Sequence, residues 1–319
     1  MRVVFFGTPD FAVPSLQALV GEGFDVVAVV TQPDAPQGRS RSKLIAPPVK
    51  VAALAEELLV LQPEKATDGK FLDHLRALEP DVGVVVAYGH ILKKQLLEIP
   101  RRGMLNVHPS LLPGLRGAAP IEWAIIRGHE TTGVSIMQLD TGMDSGPVLH
   151  QIPHRIDQHV TGGELSAHLA EMGAQALIET LAMLEQSDPP PQPVPQNESR
   201  ATFAPKLTRE IAHIDWTKDA RAIGGLIRAL DPRPGAWTEL KGAEVKLYTP
   251  KIMEPPFPGT GAPGEVLSAD RSLIVATGPF RDTAGGAIEI AEVQPAGKGR
   301  MPAEEWLRGA RLSAGVKFS

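Results

Sequence analysis

A proline-rich segment divides this chain into two parts of different character. Residues 187–199 (SDPPPQPVPQNES) contain five prolines, which stop helices and cannot donate hydrogen bonds to a neighbouring strand. Such a segment is stiff and extended, as a spacer between domains is. A chain of 319 residues is long enough for about two domains. We therefore predict domains over residues 1–186 and 207–319, with a linker over residues 187–206.

The first part alternates between strand and helix patterns. Short apolar runs rich in β-branched residues predict strands at residues 2–7, 24–32, 81–88, 104–108, 133–139 and 147–156. Helices are predicted at residues 11–20, 48–59, 67–78 and 118–127, with Thr67 as an N-cap, and after the capping-box sequence Thr161–Glu164. This alternation predicts an α/β fold, with a Rossmann-like, mostly parallel sheet and helices on both faces.

The second part is rich in short strands. A helix is predicted at residues 219–229, followed by strands at 237–240, 244–250, 264–268, 273–277 and 287–293 and a last helix at 303–310. Evenly spaced short strands separated by Gly and Pro favour a small barrel or sandwich, and of the two we expect an OB-like β-barrel.

Composition excludes several classes of protein. The chain has no cysteine, so disulfides, thiolate-bound metals and cysteine nucleophiles are ruled out. No apolar run approaches the roughly 18 residues of a membrane helix, and the N-terminal apolar run is too short for a signal peptide. We expect a cytoplasmic protein with no membrane contact. No segment marks an interface, so we expect a monomer.

Several common ligand motifs are missing. The turn after the first strand lacks the G-x-G-x-x-G spacing of a dinucleotide site, and no Walker A sequence occurs. The sequence at residues 133–137 fails the last position of a G-x-S-x-G elbow. His150, His154 and His159 have no carboxylate set beside them, so no metal is expected.

Two polar residues end an apolar strand. Asn106 and His108 lie two residues apart, so they point to the same face of a strand. An amide donor beside an imidazole can stabilise an oxyanion and transfer a proton. An ordinary polar strand end has the same pattern, and spacing alone leaves both interpretations open.

Asp140 and Asp144 lie in a glycine-rich loop after a later strand. An aspartate can orient a histidine and match its charge. Aspartate and glycine also build simple turns, so this loop too has two interpretations.

A long segment over residues 32–49 carries positive charge. Arg39, Arg41 and Lys43 occupy alternate positions with no acid after Asp34, which suits contact with phosphates. A solvated loop is the alternative. Residues 1–199 carry a net charge of −8 (15 Lys and Arg, 23 Asp and Glu), whereas residues 200–319 carry +3 (17 and 14). The second part can therefore present a basic face to a polyanion.

Taken together, these segments resemble the folate-dependent formyltransferases, and among them the methionyl-tRNA formyltransferases. The resemblance spans nearly the whole chain. It is carried by FGTPDF at 6–11, the basic segment 32–49, NVHPSLLP at 106–113, RGAAPI at 116–121, DTGMDSG at 140–146, APKL at 204–207, IDW at 214–216 and RALDPRPGA at 228–236. Pro109 departs from this subfamily, in which a small residue is expected, and HPSLLP is closer to the glycinamide ribonucleotide formyltransferases.

The resemblance implies transfer of the formyl group of 10-formyltetrahydrofolate, as co-substrate, to the α-amine of initiator methionyl-tRNA, with no metal. Asn106, His108 and Asp144 match the family's catalytic trio. Ser110, Leu111, Leu112 and Pro113 match its folate-contact stretch. Arg39, Arg41 and Lys43 would bind the acceptor stem, and the second domain would bind the tRNA backbone.

Three other functions remain open at this point. They are a formyltransferase with a small amine acceptor, a hydrolase that uses water as acceptor, and a non-catalytic RNA-binding protein. The basic segment and the second domain favour tRNA over a small acceptor.

Overall fold

The computed structural model describes residues 1–37, 43–187, 189–279, 283 and 285–319. It divides into two compact units. The first unit comprises residues 1–120, 131–155 and 166–204, and the second comprises residues 121–130, 156–165 and 205–319. The proline-rich segment thus lies within the first unit. In the described part of the chain, no helix is both long and apolar enough to cross a membrane.

The strands and helices of residues 1–204 follow the predicted alternation. The strands are β1 (Arg2–Gly7), β2 (Asp25–Val30), β3 (Ala35–Gln37), β4 (Lys43–Ile45), β5 (Val60–Leu61), β6 (Val82–Val86), β7 (Met104–His108), β8 (Arg116–Gly117), β9 (Thr131–Gln138), β10 (Val148–Arg155) and β11 (Phe203–Ala204). The helices are α1 (Val13–Gly21), α2 (Pro48–Ala55), α3 (Gly69–Ala77), α4 (Lys94–Leu97), α5 (Pro120–Ile126) and α6 (Gly162–Gln186).

Seven of these strands form a mixed sheet in the order β10-β9-β7-β6-β1-β2-β5. The five strands from β7 to β5 run parallel. β9 runs antiparallel to β7, and β10 runs antiparallel to β9. The prediction of an α/β sheet is confirmed. Because parallel strands end at one edge, the carboxyl ends of β1, β6 and β7 meet there.

Helices cover both faces of this sheet. Side chains of α3 and α4 pack with Val4 and Phe6 of β1 and with Met104 of β7. On the opposite face, α6 approaches β7 at Gly173, where a Cβ atom would lie 2.8 Å from Val107. Because side chains alternate along a strand, Asn106 and His108 share the face of Met104 and point away from α6.

The second unit is built on a second sheet. Its strands are β12 (Ala236–Leu240), β13 (Ala243–Ile252), β14 (Val266–Ser268), β15 (Leu273–Thr277), β16 (Gly286–Pro295) and β17 (Met301–Pro302). Its helices include α7 (Ala220–Ala229), α8 (Ala303–Ala310) and all of α5 except Pro120. The strand order is β12-β13-β16-β15-β14, with β17 beside β16. This ladder is open, so the predicted OB-like barrel is not confirmed.

Several predicted details are wrong. Asp68, not Thr67, caps α3, because its carboxylate accepts a hydrogen bond from the Phe71 N–H at 3.1 Å. The segment over residues 32–49 is not a plain loop, since it contains the short antiparallel pair β3 and β4.

The capping box is confirmed: the Glu164 N–H donates to Thr161 Oγ1 at 3.2 Å, and the Thr161 N–H donates to Glu164 at 2.9 Å.

Candidate active site

His108 lies at the carboxyl end of β7 and is almost fully buried. Its side chain is 4% exposed. The backbone carbonyl of Leu115 lies 3.1 Å from Nε2. A carbonyl only accepts, so Nε2 carries a proton and, in the neutral ring, Nδ1 is free to accept one. Burial lowers the pKa of His108 below its ordinary value, against the opposing effect of the Asp144 carboxylate.

Asp144 faces this imidazole from the loop between β9 and β10. Its Oδ2 lies 3.8 Å from His108 Nδ1 and accepts a hydrogen bond from the Gly117 N–H at 2.8 Å. The backbone of Asp144 has a left-handed φ of 50°, which is uncommon outside glycine and marks a constrained position. The convergence of His108 and Asp144 expected from the sequence is present.

The two aspartates of this loop have different surroundings. Asp140 accepts hydrogen bonds from the Gly142 N–H at 2.8 Å and from the Ser145 hydroxyl at 3.0 Å. These are the contacts of a turn-building residue. The turn interpretation therefore describes Asp140, whereas Asp144 is directed at the histidine.

Asn106 precedes His108 by two residues on β7 and pairs with Val85 of β6 and Met137 of β9. It is half-buried. Among the described residues, its side-chain amide has no hydrogen-bond partner, so both N–H groups are available to a ligand. An available donor and a buried imidazole thus occupy the same strand face.

The segment Ser110–Pro113 follows β7 directly and is tightly held. The Ser110 hydroxyl donates to the Gly114 carbonyl at 2.6 Å. The Ser135 hydroxyl donates to the Ser110 carbonyl at 2.6 Å and accepts from the Leu112 N–H at 3.0 Å. Ser110 and Leu112 are buried, while Leu111 and Pro113 are half-buried. A ligand beside this segment would therefore meet Leu111 and Pro113 rather than the serine hydroxyl.

Polar side chains also tie together the ends of β1, β2 and β6. The Thr8 hydroxyl and the Gln32 side-chain amide donate to the Tyr88 carbonyl at 2.9 and 3.2 Å. His90 Nε2 lies 2.7 Å from Gln32 Oε1. These contacts extend the polar edge of the sheet beyond β7.

The basic segment is only partly described. Arg39 and Arg41 lie outside the described residues, and Lys43 is described only as the first residue of β4. At the base of the segment, Lys50 Nζ lies 2.8 Å from the Asp34 carboxylate, which also accepts from Gln62 at 2.9 Å.

A cavity of about 360 Å³ adjoins the Ser110–Pro113 segment. It is lined by Leu112, Pro113, residues 148–151 and residues 194–197. A second cavity of about 640 Å³ lies between β5 and α3. Asn106, His108 and Asp144 line neither cavity. In the described ranges, no group of three or more His, Asp or Glu side chains is arranged to hold a metal.

Comparison with known proteins identifies the family. The family model described as formyl transferase matches residues 1–181, and the model of its C-terminal domain matches residues 206–311. The chain belongs to the formyl transferase family. It is thus a formyltransferase enzyme, as the sequence predicted.

The curated relatives cover the whole length of this formyltransferase. It is 46% identical to the methionyl-tRNA formyltransferase of Acidobacterium capsulatum, with 98% of each chain covered. It is 42% identical to that of Thermobifida fusca, covering 100% of this chain and 99% of the relative. An N-formyltransferase from Helicobacter canadensis, solved with folinic acid and dTDP-3-aminofucose, matches with a TM-score of 0.68 at 18% identity, covering 92% and 99% of the two chains.

Sequence reasoning missed three groups of this site. They are the Gly117 N–H, the Leu115 carbonyl and the side chain of Gln196, whose amide donates to the Asp144 carbonyl at 2.8 Å. The first two are backbone groups, which every residue type except proline has, so a residue pattern cannot reveal their contacts. Gln196 lies 52 residues from Asp144, in a segment that indicated only a linker.

Proposed function

We propose that this formyltransferase transfers the formyl group of 10-formyltetrahydrofolate to the α-amino group of methionine on initiator tRNA. The observation that carries the chemistry is the approach of His108 Nδ1 to Asp144 Oδ2 at 3.8 Å, beside Asn106. The acceptor is supported by full-length relatives at 42% and 46% identity, which are methionyl-tRNA formyltransferases. The N-formyltransferase from Helicobacter canadensis, at 18% identity, supports the fold alone.

In the proposed reaction, the amine nitrogen attacks the formyl carbon and the carbonyl oxygen becomes an oxyanion. Asn106 donates a hydrogen bond to this oxygen from its available amide. His108, once Nδ1 is protonated, donates a second. Preorganised donors of this kind stabilise the tetrahedral intermediate because they are already in place when the charge develops.

The reaction also moves one proton. The attacking amine loses a proton as the new C–N bond forms, and N10 of the folate gains one as its C–N bond to the formyl carbon breaks. We assign this transfer to the Asp144 carboxylate and to His108 Nδ1, because the Leu115 carbonyl holds the other nitrogen of that ring.

The remaining assignments rest on the resemblance. The Ser110–Pro113 segment would contact the folate, and its residues Leu112 and Pro113 line the adjoining cavity. Arg39, Arg41 and Lys43 would bind the acceptor stem. We propose that the sheet of residues 1–186 is Rossmann-like and that residues 207–319 form an OB-like barrel that binds the tRNA backbone. A barrel is supported by the C-terminal residues, because Phe318 bridges Leu240 of one edge strand and Lys317 bridges Glu265 beside the other.

An acceptor panel tests this function. The purified full chain is supplied with 10-formyltetrahydrofolate labelled in the formyl group, and with methionyl initiator tRNA, glycinamide ribonucleotide, an amino-sugar nucleotide or no acceptor. We expect label to appear on the methionyl-tRNA alone. Asp144→Asn is the matched variant, and we expect it to bind tRNA but to transfer formyl groups slowly.

Each other outcome contradicts the proposal in a different way. Label on a small amine would indicate a small-acceptor formyltransferase. Free formate without tRNA dependence would indicate a hydrolase. Methionyl-tRNA binding with no transfer to any acceptor would indicate an RNA-binding protein. We also propose a cytoplasmic location, where initiator tRNA is used.

A further inference from the structure

The side chain of Gln196 joins the proline-rich segment to the loop that carries Asp144. Its amide N–H groups donate to the carbonyl of Asp144 at 2.8 Å and to the carbonyl of Gly146 at 2.7 Å. Both donors of the amide are thus used on two carbonyls that flank Ser145. A single side chain fixes the backbone on either side of that residue.

Arg116 fixes the other end of this amide. Gln196 Oε1 accepts from Arg116 Nε at 3.0 Å and from Nη2 at 2.8 Å. The same guanidinium forms a two-pronged ion pair with Glu198, at 2.7 and 2.9 Å, and the arginine side chain is 3% exposed. Hydrogen bonding to Glu198 raises the pKa of Arg116. A buried guanidinium held by four hydrogen bonds is a rigid support.

The partners determine the orientation of the amide. The guanidinium only donates, so the oxygen of Gln196 must face it, and the carbonyls only accept, so the nitrogen must face them. No other residue type of this size has an acceptor at one position and two donors at the other. Glutamate would retain the acceptor but lose both donors.

Arg116 and Gly117 form β8, and both residues help to hold Asp144 in place. The Gly117 N–H holds the carboxylate, and Arg116, through Gln196, holds the backbone carbonyl. β8 is itself fixed by pairing with β11, where the carbonyl of Ala204 lies 2.8 Å from the place of a Cβ on Gly117. The left-handed backbone of Asp144 is therefore supported by neighbours from residues 116–117 and 196.

We propose that Gln196 is a positioning residue for formyl transfer, which holds the Asp144 carboxylate at its place beside His108. This inference rests on the proposed function, because it gives Asp144 its catalytic role. The proline-rich segment then serves as part of the catalytic site as well as a connection. A misplacement of about 1 Å at a catalytic group can cost about 10²-fold in rate, so a loosened loop affects kcat.

Two substitutions test this proposal. Gln196→Met removes both donors without adding charge, and Gln196→Glu keeps the acceptor that faces Arg116. We expect each to lower kcat by about 10-fold to 100-fold, with the KM for methionyl-tRNA changed by less than about threefold. The matched control is Gln192→Met, at an exposed glutamine of the same segment. Its amide donates a hydrogen bond to the Pro190 carbonyl at 3.4 Å and to no other group in the described ranges.

A titration separates positioning from a merely structural role. The Asp144 carboxylate raises the pKa of His108, so its displacement in Gln196→Met lowers that pKa further. NMR of the His108 imidazole measures this, and thermal unfolding confirms that both proteins are folded at the assay temperature. A loss of melting temperature with unchanged kcat and unchanged His108 titration would overturn the proposal.

Asp144→Asn, alone and combined with Gln196→Met, distinguishes this inference from the proposed function. If Gln196 acts through Asp144, the double variant is no slower than Asp144→Asn. Normal formyl transfer by Asp144→Asn would overturn the catalytic role of the aspartate, and the positioning role with it. If Asp144→Asn transfers formyl groups slowly while both Gln196 variants keep the wild-type rate, the positioning role alone is overturned.

Discussion

At the scale of single residues, the site depends on His108, because burial lowers the pKa of its imidazole. The strand period of two predicted that Asn106 and His108 share a face, whereas the glycine-rich loop left open both a simple turn and an aspartate partner. Neither pattern could predict that Leu115 fixes the tautomer of His108, because a backbone carbonyl leaves no mark in the sequence. Only the resemblance to the family separated Asp144 from Asp140, since both are aspartates in the same loop and their different contacts are visible in the structure alone.

The stability of the protein is expected to depend on the charge of His108. Burial lowers the folded-state pKa of His108, so the unfolded chain binds more protons as the pH falls below the ordinary histidine value of about 6.5. The stabilisation is complete above that value and is lost as the pH falls toward the lowered one, by up to about 1.4 kcal/mol per pH unit. Urea unfolding between pH 8 and 5.5 should show a shallower fall for His108→Asn than for the wild type. His74→Asn, at an exposed histidine, is the control, and equal slopes for all three proteins would contradict this interpretation.

Asn106 is expected to act on the transition state rather than on binding. Loss of one preorganised oxyanion donor typically lowers kcat by about 10² to 10³. Steady-state kinetics of Asn106→Ala should therefore show this loss in kcat with little change in the KM of either substrate. Turnover close to that of the wild type would remove Asn106 from the catalytic set.

At the scale of elements, strands and helices of five or more residues were predicted well, and shorter strand pairings were not. The predicted bounds of β7, β15 and α8 match the structure. The pair β3 and β4 was missed because each strand has only three residues, and Pro36 argued against a strand. The contacts of residues 194–198 with the first sheet are long-range, so they could not appear in a local pattern. Prolines indicated an extended backbone, but not which surface it would cover.

The start of α3 gives an element-scale prediction with an internal control. The Asp68 carboxylate accepts from the Phe71 N–H, and loss of such a cap costs about 0.5 to 2 kcal/mol. Asp68→Ala should lower the free energy of unfolding by about 1 kcal/mol. Thr67→Ala, at the neighbouring exposed residue, should change it by less than about 0.5 kcal/mol. Urea unfolding of the two variants decides between the two caps. A larger loss of unfolding free energy for Thr67→Ala would show that Thr67 is the cap.

At the scale of the whole molecule, charge and chain coverage point to the same substrate. Residues 200–319 carry a net charge of +3 against −8 for the rest, and the family's C-terminal domain matches within that basic part. A second domain alone does not distinguish the acceptors, because the N-formyltransferase solved with dTDP-3-aminofucose matches over 92% of this chain. A basic domain, however, suits the long phosphate backbone of a tRNA. A division near the proline-rich segment was predicted from the change in strand and helix pattern and from the charge. The sequence could not predict that residues 121–130 and 156–165 pack with the second unit, because that grouping depends on tertiary contacts alone.

The proposed tRNA contact of the basic segment is testable by its dependence on salt. Each phosphate contact that is lost should lower the slope of log K against log salt by about 0.9. Initiator tRNA binding to Arg39→Ala should therefore weaken and show the smaller slope in a titration over salt concentration. Arg101→Ala is the matched control, because Arg101 is exposed just before β7 begins, at the end of that strand opposite His108. If Arg39 contacts phosphate, only its own variant changes the slope. An Arg39→Ala protein with wild-type affinity and slope would remove this residue from the tRNA interface without affecting the catalytic assignments, which depend on different residues.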